Sequence, residues 1–240
     1  MEHKIAYLTI DDAPSEDFKK KVDYLCKKKI PAIFFCVGKL MKKRPASVVY
    51  AIKKGYVIGN HSYNHIPFSA LSLSTCIKEI EKTDDLIEKL YKKAKVKRHM
   101  RVFRFPYLDK GGRAHLLWWR RKKIIQMFLE RMGYEQPDFE GIKYPWFKGR
   151  RLLKDKDVCG TYDVIELLPF EKKVIGGVRS AKDFIDSIEE DSHGCVNGIK
   201  NINSNEIVML HDYPKKDEIF YIAIDKLIKD KWRFKLPRLK

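Results

Sequence analysis

The 240 residues are 44% hydrophobic and 12% aromatic, a composition that supports a sizeable core and excludes a disordered chain. Lysine and arginine number 50 against 32 acidic residues, a formal net charge of +18, so the chain carries a positive field that attracts polyanions. No apolar run approaches the ~20 residues of a membrane span. The five cysteines (Cys26, Cys36, Cys76, Cys159, Cys195) are odd in number, widely spaced and without C-x-x-C, which argues against a disulfide framework or a cysteine-zinc site.

In chain order, residues 5–10 are branched and apolar, as a buried strand is, and run into Asp11 and Asp12. Residues 17–29 place Phe18, Val22 and Leu25 at the spacing of an amphipathic helix. Residues 30–37 are an apolar run closed by Gly38, and Pro45 opens a helix through Ile52 that Gly55 stops. A short apolar piece, 56–58, precedes Gly59, Asn60 and His61, and residues 74–94 predict a long amphipathic helix. Residues 102–105 are strand-like and end at Pro106. Residues 114–132 predict a helix that buries Leu117, Ile124, Ile125, Phe128 and Leu129 and shows a basic face from Arg120 to Lys123. The preferred reading is a core helix with one basic face, and contact of the basic residues with an anionic surface or polymer is the alternative. Residues 136–157 read as a long loop with a short strand, and 158–168 hold a further strand. Ser180 caps a helix to Ser192, with Asp183 in a capping-box role. A strand over 206–210 ends in His211, a helix covers 219–229, and 232–236 is extended. Strands apolar on both faces, alternating with helices, predict an α/β fold with a parallel sheet, as a barrel or an open doubly wound sheet. We read residues 1–240 as one domain. The start lacks the basic-then-apolar layout of a signal peptide, so the expected location is cytoplasmic, or exported if the N-terminus is processed.

Four strand ends carry residues that bind metal or move protons: Asp11 and Asp12, His61 and His65, Arg104, and His211. In a parallel barrel these ends share one rim, where barrel enzymes build their sites. Each piece alone is ordinary: paired aspartates cap helices, and lone arginines and histidines are commonly surface or structural groups. Together they make a coherent set. Asp12, His61 and His65 offer one carboxylate and two imidazoles, the histidines four apart so that one helical turn puts both rings on one side. This set suits one divalent metal ion, zinc first, with cobalt, iron, manganese or nickel as alternatives, and leaves open positions for water and substrate. Asp11 is then a spare carboxylate, able to take a proton from water whose pKa the cation has lowered. Arg104 favours its ionised form, and His211 is placed to protonate a leaving amine.

The motifs T-I-D-D at residues 9–12, H-S-Y-N-H at 61–65 and R-F-P-Y at 104–107 resemble those of the polysaccharide deacetylase superfamily (carbohydrate esterase family four, NodB-homology domain), in the family's order. The resemblance implies a distorted (β/α) barrel of about seven parallel strands. It also implies a metal-dependent hydrolase that removes acetyl groups from N-acetylated amino sugars of a polysaccharide or glycoconjugate. On the family pattern Asp11 is the base, Asp12, His61 and His65 are the ligands, and Arg104 tunes the base. The backbone N–H of Tyr107 helps stabilise the oxyanion, and His211 is the acid. The family's fifth motif, L-x-H, stands here as M-L-H, with Met209 in place of the leucine that lines the acetyl pocket. The fourth, D-x-x-D-W, is not recognisable; Asp163 is the candidate for orienting His211, with Asp157 second, and neither precedes a tryptophan. Residues 109–156 form a family-atypical insertion that reshapes the cleft. Two further functions fit the same residues: hydrolysis of another linear or cyclic amide, and a non-catalytic barrel that binds glycan or polyanion. A nucleic-acid partner rests on charge alone and ranks last, because no nucleic-acid motif is present.

Overall fold

A computed structural model describes residues 4–111, 118–149, 152–163, 203–214 and 217–239. The helix expected over 180–192 and Cys195 lie outside the described residues, as does Leu117.

The strands β1 (Ile5–Ala13), β2 (Ile33–Cys36), β3 (Val57–Asn60), β4 (Tyr162–Asp163), β5 (Glu206–His211) and β6 (Arg233–Phe234) form one sheet in the order β3-β2-β1-β5-β4, with β6 on the start of β1. Every pairing is parallel. β1 is central and buried along nearly its whole length, which explains its unbroken apolar run. It extends past the predicted end at Ile10 and carries Asp11 and Asp12 within the strand.

The expected strand over 102–105 is instead a single rung. Phe103 forms isolated parallel bridges to Asn60 and to Asp157, and the Val158 N–H donates to the Phe103 carbonyl at 2.8 Å. Pro106 has no N–H with which to lengthen the ladder. The sheet thus passes from β3 through Phe103 to the stretch leading into β4, the path of a distorted barrel. About seven strands were expected; six are formed among the described residues, and the seventh position is this rung.

The helices are α1 (Phe18–Lys27), α2 (Gly38–Lys43), α3 (Pro45–Lys53), α4 (Leu73–Ala94), α5 (Trp118–Arg131), α6 (Pro145–Gly149) and α7 (Asp217–Lys229). α2 was not anticipated, and α6 falls where a loop was expected. Ser72 caps α4, its hydroxyl accepting from the Thr75 N–H at 3.1 Å. Ile87 and Leu90 of α4 and Ala223 and Ile224 of α7 pack with Leu8, Ile10 and Phe34 of the sheet in the largest apolar cluster. α5 corrects one expectation: Ile125, Phe128 and Leu129 are buried, but Ile124 is exposed. Cys26, Cys36, Cys76 and Cys159 are free thiols, in line with the absence of a disulfide framework. No described helix is long and apolar enough to cross a membrane.

Candidate metal centre

The parallel register sets the first geometric fact: Asp11 on β1 lies directly opposite His211 on β5. Thr9 lies opposite Met209 in the same way. A carboxylate and an imidazole drawn from positions 200 residues apart in sequence therefore share one rim.

Ligand-type atoms of Asp12, His61 and His65 all lie within 4.8 Å of one another. Asp12 Oδ1 is 2.9 Å from His65 Nε2 and 3.6 Å from His61 Nε2. It is buried, yet it accepts no well-aligned hydrogen bond. A buried carboxylate oxygen facing two imidazole nitrogens without a donor is an expensive arrangement unless a cation completes it. The donor set and this orphaned oxygen fit a divalent metal. Three protein ligands also leave coordination positions open.

Each candidate ligand is aimed by its surroundings. His61 Nδ1 lies 2.9 Å from the Arg104 carbonyl, an acceptor only, so Nδ1 carries the proton and Nε2 presents its lone pair to Asp12 and His65. Burial pushes the His61 pKa down against the pull of Asp11 and Asp12, which favours the neutral form that binds metal. Burial works against ionisation of Asp12, but the His65 side chain 2.9 Å away, and the charge that His61 and His211 carry when protonated, outweigh it and hold the carboxyl well below the usual range.

The two histidines do not share a helical turn, as the four-residue spacing suggested. Residues 61–65 are an irregular loop in which Ser62 and His65 have φ of 61° and 59°. Asp12 and Tyr107 also have left-handed φ, 62° and 56°. Left-handed backbone is costly for residues with a Cβ, and here it gathers on the three motif segments. The loop is held from outside. Glu79 of α4 accepts from the Tyr63 and Asn64 N–H groups (3.0 and 2.6 Å) and from the Asn64 side chain. Ser62 Oγ accepts from the His65 N–H at 3.1 Å, and Asn60 Oδ1 from the Ser62 N–H at 2.9 Å. Gly38 permits the approach: a Cβ there would stand 2.4 Å from the Tyr63 ring. Glu79, Asn60 and Ser62 were not anticipated as clamps of this loop. The available signal was a carboxylate at position 79 between Cys76, Ile80 and Thr83 on the buried stripe of α4.

Asp11 and Arg104 are buried together, Arg104 Nη1 donating to Asp11 Oδ1 at 2.7 Å and to Thr9 Oγ1 at 2.9 Å. Arg104 Nε donates to the Val158 carbonyl at 3.1 Å, and its guanidinium lies over the Phe35 ring. The other Asp11 oxygen is 3.8 Å from His61 Nε2. Asp163 Oδ1 is 4.0 Å from His211 Nδ1 and is buried without a hydrogen bond. Burial pushes the Asp163 pKa up, with His211 pulling the other way. Asp157 belongs elsewhere: it meets Lys110 Nζ at 2.9 Å and Gln126 Nε2 at 2.7 Å. Met209 is buried against Gly160, where a Cβ would come within 1.9 Å of its sulfur. Tyr107 is 63% exposed at the rim, its ring 4.6 Å from that of His65.

The model of the family described as polysaccharide deacetylase matches residues 1–118. The chain is 35% identical over 88 residues to the peptidoglycan-N-acetylmuramic acid deacetylase PdaC of Bacillus subtilis, a stretch covering 36% of this chain and 19% of that protein. It is 31% identical over 102 residues to a chitooligosaccharide deacetylase of Sinorhizobium fredii, covering 42% of this chain and 46% of that one. The matched stretches thus span less than half the length of these curated relatives. The solved structure of peptidoglycan deacetylase PdaC from Bacillus subtilis superposes with a TM-score of 0.60 at 20% identity, covering 97% of this chain and 87% of that one. A CE4 family pseudoenzyme from Bacillus anthracis superposes with a TM-score of 0.62 at 16% identity, covering 97% and 63%. At these identities the structural likeness concerns the fold. The family match over residues 1–118, the order of the three motifs and the fold agree, and this chain is similar to the polysaccharide deacetylase family along that stretch.

Proposed function

We propose that this protein is a metal-dependent hydrolase that removes acetyl groups from N-acetylated amino sugars in a polysaccharide or glycoconjugate. The observation that carries this reading is the pairing of a ligand cluster (Asp12, His61, His65) with a second carboxylate, Asp11, that is not needed to complete it. A divalent ion held by the three ligands, zinc by preference, supplies Lewis-acid polarisation and acidifies water. Asp11 takes the proton from the attacking water. Its Oδ1 is held by Arg104, which leaves Oδ2 to face the site. His211, opposite Asp11 in the sheet, delivers a proton to the amine as it leaves, because an unprotonated amine is a poor leaving group. Asp163 stands 4.0 Å from the Nδ1 side of the His211 ring, the side from which it would orient that ring. The Tyr107 backbone N–H serves the developing oxyanion, and Met209 lines the acetyl pocket. Residues 109–156 are an insertion on the single catalytic domain.

The names of the curated relatives support sugar deacetylation, and the pseudoenzyme among the structural neighbours makes turnover itself the property to test. Acetate release from chito-oligosaccharides and peptidoglycan fragments should require the metal. Asp11→Asn should lower turnover by about 10³-fold while metal content stays unchanged. A chelator-treated protein that releases acetate as fast as the loaded one, or an Asp11→Asn variant of full activity, refutes the proposal.

A further inference from the structure

Helix α5 turns Ile125, Phe128 and Leu129 into the core and is fastened from its inner side. Arg121 Nη2 donates to the Phe68 carbonyl at 2.7 Å and also reaches the Leu71 carbonyl. Gln126 Nε2 donates to Asp157 at 2.7 Å, and Lys122 pairs with Asp155 at 2.7 Å. These contacts orient the helix and leave one outer arc of about 140° at 100° per residue. That arc holds Trp119, Ile124 and Met127, which are 51%, 44% and 58% exposed. Interleaved with them are Arg120, Lys123 and Arg131, together with one acid, Glu130. Among the described residues no carboxylate pairs with those three cations; Glu130, the one acid of the helix, is paired with Lys156 at 2.8 Å. The Arg120 guanidinium lies 5.1 Å from the Trp119 ring, and that of Arg131 lies 5.2 Å from the Phe128 ring. A solvent-facing stripe has no need of three large apolar side chains, least of all ringed by uncompensated cations.

We propose that this outer face of α5 docks on an anionic lipid bilayer surface. Trp119, Ile124 and Met127 enter the headgroup boundary, and Arg120, Lys123 and Arg131 meet the lipid phosphates. A helix of 14 residues is about 21 Å long, too short to span a bilayer and suited to lie in its plane. A soluble polyanion needs the cations but not the apolar side chains between them. A second copy docking face to face would bring like charges together. Because Arg121 ties α5 to the Phe68–Ala70 turn just beyond His65, docking there keeps a fixed relation to the metal centre. The proposal stands whether or not the sugar reading does.

The test uses the full chain with zinc present and vesicles of phosphatidylcholine, alone or mixed with phosphatidylglycerol. The protein should sediment with the mixed vesicles only, and its tryptophan emission should shift to the blue. A Trp119→Ser/Ile124→Ser/Met127→Ser variant should partition about tenfold less. Arg120→Gln/Lys123→Gln should partition about thirtyfold less, about a factor of five per basic side chain. All five positions are exposed, and an unchanged melting temperature verifies the fold of each variant. Absence of sedimentation overturns the proposal. So does sedimentation that the serine variant leaves intact, which is bulk charge attraction alone. Polyphosphate binding with the same loss in the serine variant overturns it as well, in favour of a soluble polyanion.

Discussion

Asp12 and Asp212 stand at the ends of neighbouring strands, and they are treated in opposite ways. Asp212 is fully provided for: Lys21 Nζ reaches it at 2.7 Å, and Ser15 donates to it from its N–H at 2.6 Å and its hydroxyl at 2.7 Å. Its own N–H donates to the Asp11 carbonyl at 2.8 Å. Lys21, completely buried, gives a second bond to the Tyr213 carbonyl at 3.0 Å. Asp12, by contrast, keeps a buried oxygen with no well-aligned hydrogen bond, and Arg104 Nη2 and Asp163 Oδ1 are orphaned as well. A satisfied buried network holds structure in place, whereas an unsatisfied cluster beside it marks where an external group binds. The two adjoin through the Asp212 N–H on the Asp11 carbonyl, so that Asp11 and His211 sit on strand ends pinned by the Lys21–Asp212 pair.

The largest way to break this contrast is to remove the cation from the satisfied side. Lys21→Met leaves Asp212 charged and buried, and should lower the stability measured by denaturant unfolding by about 3–5 kcal/mol. A loss under about 1 kcal/mol shows that the pair is not structural.

A third buried acid sharpens the contrast from the other end of the sheet. Glu206, at the start of β5, accepts from Thr161 Oγ1 at 2.5 Å and from the Tyr144 hydroxyl. Burial nevertheless pushes its pKa from the ordinary 4.5 up to about 7. The folded chain therefore keeps a proton that the unfolded chain releases. Stability from this group is complete below pH 4.5 and falls as pH rises to about 7, by about 3 kcal/mol in all. His61, whose pKa is lowered by burial, acts in the opposite direction as its unfolded form loses its proton. The informative quantity is accordingly the difference between the parent and Glu206→Gln across pH 4.5 to 7. A flat difference contradicts the assignment.

A smaller effect is expected at Gly160. An added methyl in Gly160→Ala collides with the Met209 side chain and should cost about 1–3 kcal/mol, and it should displace Met209 from the position facing the rim. If substrate KM and stability both stay unchanged, Met209 is not held by Gly160.

Much of the mouth was legible because its chemistry is written in local strings. T-I-D-D closes an apolar strand, two histidines follow another, and R-F-P-Y closes the apolar piece at 102–105. The parallel-sheet rule then sends those ends to one rim. What was not legible depends on backbone conformation and long-range contact. A spacing of four suggested a helical turn at His61 and His65, but the left-handed φ at Ser62 and His65 and the clamp from Glu79 produce a loop instead. Residues 102–105 have the composition of a strand, yet ladder formation stops at Pro106 and leaves one rung. Periodicity placed Ile124 in the core beside Ile125, and only the fastening of α5 through Arg121 and Gln126 shows which of the two faces inward. Asp163 was identified by likeness to a weakly matching motif, and the register of β4 on β5, which pairs it with Met209, is what brings it near His211.

The central claim is that Asp12, His61 and His65 hold one divalent ion. Elemental analysis after zinc loading and exhaustive dialysis tests it most directly. The account predicts about one ion per chain for the parent and for Asp11→Asn, and none for an Asp12→Ala/His61→Ala variant that still melts cooperatively. Zinc retained by that double variant, or none retained by the parent, contradicts it.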